Sequence, residues 1–196
     1  MGRAAHGAPE RSDLAPGFVA AMPQLLDPNF HRTVVFLLRH NDEGSFGLVI
    51  NRPTQVDVQT LCESQGIESR GQEGVPMMFG GPVEIDRHLL VLHGEPPLAG
   101  IDPGDEIEIA RGVRLVTALD GLAALAGSGS RRFRCYAGYA GWGPGQLEEE
   151  LEEGAWVPLE ADPELIFDED PARVWELALR RAGIDPITLV PGGGPS

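Results

Sequence analysis

Gly141-Trp-Gly-Pro-Gly145 opens onto Gln146-Leu-Glu-Glu-Glu150, and a glycine-rich turn entering a helix is a familiar place to bind phosphate. A helix N-terminus offers free N–H groups and a partial positive charge. Two features oppose that chemistry here. No Lys or Ser/Thr follows the glycines as a phosphate loop requires. Glu148, Glu149 and Glu150 already stand in the first turn, where they satisfy the dipole and repel an anion. Leu147 and Leu151, one helical turn apart, point the segment inward. The stretch is expected to be a strand-to-helix corner with Trp142 as a packing plug. The competing reading is a ligand loop in which Trp142 stacks on a ring and Gln146 donates a hydrogen bond.

Other reactive residue types give little pattern. His88 and His93 are an odd number of residues apart, so on one strand they would face opposite sides. No HExxH or comparable cluster exists, and His40 beside Asn41, Asp42 and Glu43 is ordinary turn composition. His93, ending an apolar run, is expected to be a hydrogen-bonded structural histidine rather than a general base. Ser45, within Gly44-Ser-Phe-Gly47, has the wrong spacing for a nucleophile elbow. No Gly-x-Gly-x-x-Gly follows a strand. Arg131, Arg132 and Arg134 form the densest basic cluster, expected to make surface ion pairs rather than grip phosphate or RNA. Cys62 and Cys135 sit among apolar neighbours and read as buried, inert thiols. No catalytic residue, metal or cofactor is therefore assigned. The candidate ligand-binding set is Asn51, Arg52, Gly80, Gly81, His93, Trp142 and Gln146, on condition that the fold gathers them in one concave pocket.

The elements that must position these residues can be read from periodicity and punctuation. Residues 17–22 and 33–38 are apolar strands, the second apolar on both faces as an interior strand should be. His40-Asn-Asp-Glu-Gly44 turns the chain into a returning strand whose Phe46, Leu48 and Ile50 share one face. Pro53 cannot donate to a sheet ladder and closes this hairpin. A short helix is expected within residues 56–63, a polar loop over 64–74, and a sharp turn at Gly80-Gly-Pro82 before the strand Leu89-Leu-Val-Leu92. Ile107 and Ile109 alternate with Glu106 and Glu108 and pair with Val113-Arg-Leu115, the exposed acids meeting Arg114 across the ladder. Asp120 is expected to cap a helix burying Leu122 and Leu125. Residues 132–136 form a further strand. Asp170-Pro171 starts a last helix with Trp175, Ala178, Leu179 and Ala182 on one stripe, Arg180 and Arg181 in its final turn and Gly183 closing it. Strands dominate the first two thirds without a strict βαβ rhythm, which argues for α+β, with an irregular three-layer α/β arrangement as the alternative.

The chain of 196 residues suits one domain over 14–186, with tails over 1–13 and 187–196. No signal-peptide core or membrane-length apolar run appears, so the expected location is the cytoplasm. Net charge is −15, and residues 141–196 alone carry three arginines against thirteen acids. Duplex DNA would be repelled by that third of the chain, leaving a protein partner or a small ligand as the expected contact. Every cation is arginine. The absence of lysine excludes a Walker A lysine, a Schiff base and any lysine general base.

Four blocks in order resemble the YqgE/AlgH family. They are Gly17-Phe-Val-Ala-Ala-Met-Pro23 with Leu26-Asp-Pro-Asn-Phe30, Gly47-Leu-Val-Ile-Asn-Arg-Pro53, Gly80-Gly-Pro-Val83 with Leu92-His93, and Tyr139-Ala-Gly-Trp-Gly-Pro-Gly-Gln-Leu147. The resemblance spans residues 16–184. It implies a compact α+β fold with a bifurcated, barrel-like mixed sheet and packed helices. It also implies a link to transcriptional regulation and brings no agreed reaction, cofactor or catalytic residue to carry over. The expected role is a non-enzymatic regulatory or binding one. The alternative is a small-molecule (nucleotide or phosphorylated metabolite) binding protein or enzyme with its site near the Gly141-Trp-Gly-Pro-Gly-Gln146 loop.

Overall fold

A computed structural model describes residues 14–187. Eleven strands and five helices are distributed over two sheets among the described residues. In chain order the strands are β1 (Gly17–Ala21), β2 (Val34–Asn41), β3 (Gly44–Val49), β4 (Pro53–Asp57), β5 (Pro76–Phe79), β6 (Leu89–His93), β7 (Glu106–Ala110), β8 (Val113–Val116), β9 (Phe133–Ala137), β10 (Ala140–Trp142) and β11 (Trp156–Glu160). The helices are α1 (Val58–Ser64), α2 (Leu119–Ser128), α3 (Gln146–Glu152), α4 (Pro163–Phe167) and α5 (Pro171–Arg181). The tails expected over 1–13 and 187–196 lie outside the described residues, except Ile187.

The first sheet runs β10-β3-β2-β1-β11, with every pair antiparallel. The second runs β4-β5-β9-β6-β8-β7 and is mixed, because β5 and β9 are parallel. The sheets meet where Val49 N–H donates to the Gly80 carbonyl at 2.7 Å, so the β-surface forks there. It does not close into a barrel: β7 and β11 remain separate edges.

Strand alternation sorts side chains into three cores. Phe18, Phe36 and Leu48 from the first sheet meet Met78, Leu92 and Tyr136 from the second, and α5 adds Trp175 and Leu179. On the outer face of the first sheet, Val19, Val35 and Leu37 pack with Trp142, Leu147 and Trp156. On the outer face of the second, Val91, Phe133 and Cys135 pack with α1 and α2 through Cys62, Leu122 and Leu125. The central strands of both sheets are thus covered on both faces, which explains why β2 begins as an unbroken apolar run.

Caps follow side-chain chemistry. Asp57, Asp162 and Asp170 accept from the backbone N–H groups of Thr60, Glu164 and Ala172 and start α1, α4 and α5. Gly183, with positive φ, closes α5, and Ile184 folds back onto the core. Some expectations need correction. α2 starts at Leu119 with Ala118 as its cap and no side-chain cap bond, so Asp120 lies in the first turn. The β2–β3 hairpin does end before Pro53 as expected, and Pro53 then begins edge strand β4 of the second sheet, a position that needs no ladder N–H. Glu106 is not an exposed partner of Arg114; its carboxylate turns inward to His93.

Candidate functional site

The aromatic corner is built around one carboxylate. Glu150 Oε2 accepts from the indole N–H of Trp142 at 3.0 Å and from that of Trp156 at 2.8 Å, while Oε1 accepts from Gln146 Nε2 at 2.9 Å. Gln146 Oε1 in turn accepts from Gly143 N–H at 3.1 Å. Phe30 stacks on Trp142 with centroids 6.0 Å apart, and Trp156 meets both rings edge-on. The polar atoms that would hold a ligand here are already engaged, and Trp142 is buried.

Beneath this corner lies a grouping that sequence reading missed. His40 Nδ1 is 2.7 Å from Ser45 Oγ, and His40 Nε2 is 3.7 Å from Glu148 Oε1. The β2–β3 register sets His40 opposite Ser45, and the β3–β10 register sets Ser45 opposite Trp142. The order serine–histidine–acid suggests nucleophilic catalysis. Accessibility argues otherwise: Ser45 is 5% exposed, and the adjacent Gly143 N–H, a potential oxyanion donor, is bonded to Gln146. The pair is a cross-strand hydrogen bond under α3.

Asn51 and Arg52 brace the 22–32 loop. Asn51 Oδ1 accepts from Val34 N–H and its Nδ2 donates to the Arg32 carbonyl, each at 2.9 Å. Arg52 donates to the carbonyls of Pro28 and Asn29 at 2.8 Å and of His31 at 3.0 Å. Arg52→Ala should therefore lower stability by about 1–3 kcal/mol, since bonds from a charged donor exceed neutral ones and the site is half-buried. Amide hydrogen exchange at Phe30 and Thr33 should accelerate with it. Unchanged exchange there would mean the bonds do not hold the loop.

Gly80 and Gly81 lie against the backbone of residues 138–140, where a side chain does not fit. Phe79 N–H donates to the Arg52 carbonyl at 2.8 Å, so Asn51, Arg52, Gly80 and Gly81 are neighbours, and Tyr139–Ala140 leads from them to Trp142. His93 is apart from them. It pairs with Phe133 at one end of β9, whereas Gly80 bonds Ala137 at the other, four residues or about 13 Å along the strand.

His93 belongs to a second polar cluster, on the α1/α2 side of the second sheet. Its side chain is fully buried, and Nε2 lies 3.0 Å from Oε1 of Glu106, which is 8% exposed. Neither ring nitrogen makes a well-directed hydrogen bond. Desolvation, opposed by Glu106, lowers its pKa below the ordinary histidine value. Burial raises the Cys62 and Cys135 thiols, so neither is a ready thiolate. The arginine cluster is engaged in packing: Arg132 pairs with Asp168 at 2.9 Å, Arg134 donates to the Phe167 carbonyl at 2.6 Å, and Arg131 donates to the Gly71 carbonyl. Among the described residues no group of three or more His, Cys, Asp or Glu is placed to hold a metal ion. Nor is any helix there long and apolar enough to cross a membrane.

An open concavity lies elsewhere. A groove of about 630 Å³ runs between β11, α4 and α5, floored by Leu159, Ala161, Leu165 and Ala182 and rimmed by Glu160, Asp162 and Arg181. That volume falls within the range of small-ligand sites. Arg181 reaches across to Asp162 and, at 3.5 Å, to Glu164. β11 is an edge strand: Met22 bonds Ala155, so the ladder faces β1 at Val157 and Leu159 and faces outward at Pro158 and Glu160. None of the seven expected site residues lines this groove. Asp162-Pro163 marks the start of α4 in the sequence, but a concavity shared by three elements has no local sequence signal.

The chain matches the family model described as AlgH-like (DUF179) over residues 18–187. It is 40% identical over 183 residues to a UPF0301 protein of Myxococcus xanthus, covering 93% of this chain and 98% of that relative. A UPF0301 protein of Cupriavidus pinatubonensis is 42% identical over 183 residues, covering 92% and 93%. The solution structure of the AlgH protein from Pseudomonas aeruginosa superposes with a TM-score of 0.72 at 32% identity, covering 100% of both chains. A crystal structure of a protein from Corynebacterium diphtheriae gives 0.68 at 25% identity, covering 88% and 89%.

Proposed function

This chain belongs to the AlgH-like family, and from that premise we propose that it is a cytoplasmic regulatory protein that acts by binding and performs no reaction of its own. One observation carries the reading. The residues with chemistry to offer are engaged internally: Trp142 and Gln146 on Glu150, Arg52 on three carbonyls, Ser45 on His40. The β11–α4–α5 groove stays open and is the surface we assign to binding. A connection with transcriptional regulation is supported by the family resemblance alone. With a net charge of −15, that connection runs through a protein partner and not through direct contact with duplex DNA.

Two solution experiments test this reading. A gel shift with duplex DNA should show no complex at micromolar protein and physiological salt; a salt-sensitive complex would overturn the protein-partner route. A thermal-shift screen of nucleotides and phosphorylated metabolites addresses a second reading, small-ligand binding, which the groove's volume favours. A specific ligand there raises the melting temperature with occupancy. Turnover of any such ligand would contradict the non-catalytic role.

A further inference from the structure

The His93–Glu106 pair lies outside the groove and plays no part in the binding proposed above. Glu106 does more than face His93: both carboxylate oxygens accept from Leu98 N–H, at 3.2 and 3.0 Å. Leu98 is the middle of the loop over residues 94–105, and its side chain packs on the core between the second sheet and α1/α2. The loop carries Pro96, Pro97 and Pro103, which have no N–H to donate, so ladder bonding cannot hold it. Its attachment at Leu98 therefore depends on the Glu106 carboxylate, which lies 3.0 Å from an imidazole with no well-directed hydrogen bond.

We propose that His93 and Glu106 form a proton-operated latch on this loop: the neutral imidazole leaves Glu106 seated on Leu98, and protonation of His93 releases the loop. The groups facing the ring come from every element around it. Glu106 stands on β7, with Arg114 of β8 at 4.0 Å from its Oε1 and paired at 3.0 Å with Glu108. Glu95, just after β6, accepts from the Ser130 hydroxyl at 2.7 Å. Arg132, beside β9, directs its guanidinium away to Asp168. Glu106 and Glu95 favour an imidazolium and Arg114 opposes it, but loss of water around a fully buried ring outweighs them. The charged ring is accommodated only when water reaches it, and the loop covering Glu106 is the part able to lift.

The sign follows from linkage. A histidine whose value is lowered in the closed form binds a proton more readily in the open form. The closed form is therefore fully favoured above the ordinary value of 6.5 and loses ground as pH falls below it. The loss reaches at most about tenfold in the closed-to-open ratio per pH unit.

Amide exchange of Leu98, corrected for the intrinsic pH dependence of exchange, is the direct readout between pH 7.5 and 5.5. Contributions from every other group are removed by comparison with His93→Gln over the same window. The latch predicts that Leu98 protection in the intact chain falls several-fold on acidification and that His93→Gln removes this dependence. Should His93→Gln fail to fold, the intact chain still decides: Leu98 protection must begin to fall as pH drops below the ordinary histidine value of 6.5, and the His93 ring, followed by NMR, must take up its proton below that value. Protection that rises in acid would mean an ion pair tightens the loop. That result, or equal pH dependence in both proteins, or a His93 ring that takes up its proton with no loss of protection at Leu98, overturns the latch.

Discussion

Gly81→Ala should leave the protein without its native fold. A β-carbon at Gly81 would lie 2.1 Å from the Tyr139 carbonyl carbon, 2.2 Å from its oxygen and 2.3 Å from Ala140 N. All three are backbone atoms, and Val83 and Tyr139 hold them through reciprocal N–H···O bonds of 3.0 Å. No rotamer change relieves such a contact, and φ of 153° adds strain for any L-residue. The expected cost is above about 4 kcal/mol, enough to unfold many domains. Gly66→Ala is the control: its φ is 68°, but no atom lies within 4 Å, so the cost is the left-handed backbone alone, about 1–2 kcal/mol. Urea unfolding followed by near-ultraviolet circular dichroism separates the two. A Gly81→Ala protein with an unchanged midpoint would mean these segments do not cross as described.

The second large effect is expected at Glu150. Glu150→Ala removes the acceptor of two indole N–H groups and of Gln146, leaving Trp142 and Trp156 with buried rings and unpaired donors. Hydrogen bonds to a carboxylate contribute about 1.5–3 kcal/mol each. Water can reach the partly open side of the corner, so the summed loss should be about 2–4 kcal/mol. Glu150→Gln keeps a carbonyl oxygen for the indoles and should lose about half of that. Denaturant midpoints measure both, with tryptophan fluorescence reporting the corner itself. If the two variants are equally destabilised, the charge and not the acceptor geometry holds the corner. If neither is destabilised, the clamp does not exist.

How legible the fold was depended on whether its signal was local. Strands β1, β2, β3, β6 and β9 and helix α5 carried apolar periodicity and caps in their own residues, and the structure has all of them. The cross-strand pair Glu108–Arg114 followed from alternation alone. Glu106 did not. Alternation gave it the same face as Glu108, but the covering loop at residues 94–105 turns that end of the face into an interior. β10 has only three residues and holds Gly141, β11 is interrupted by Pro158, and both are strands because partner strands bond them.

The candidate site was legible only as a list. Asn51, Arg52, Gly80 and Gly81 are neighbours, and their block leads to Trp142, yet their polar atoms face carbonyls and indoles of the same chain. Residue type cannot separate an arginine that binds an anion from one that closes a loop on three carbonyls. The Glu150 clamp was equally hidden, because Trp156 reaches it from beyond α3. The groove was missed for a related reason: its walls are ordinary core residues of three elements, and concavity has no sequence pattern.

The central claim is that binding takes place in the β11–α4–α5 groove and not at the aromatic corner. The most direct measurement places the photocrosslinker p-benzoylphenylalanine in living cells at Glu160, on the groove rim, and separately at Gln146, on the corner. The account predicts a discrete adduct from position 160 that disappears when Ala161→Trp fills the groove, and none from position 146. An adduct from 146, or one from 160 indifferent to Ala161→Trp, would contradict it.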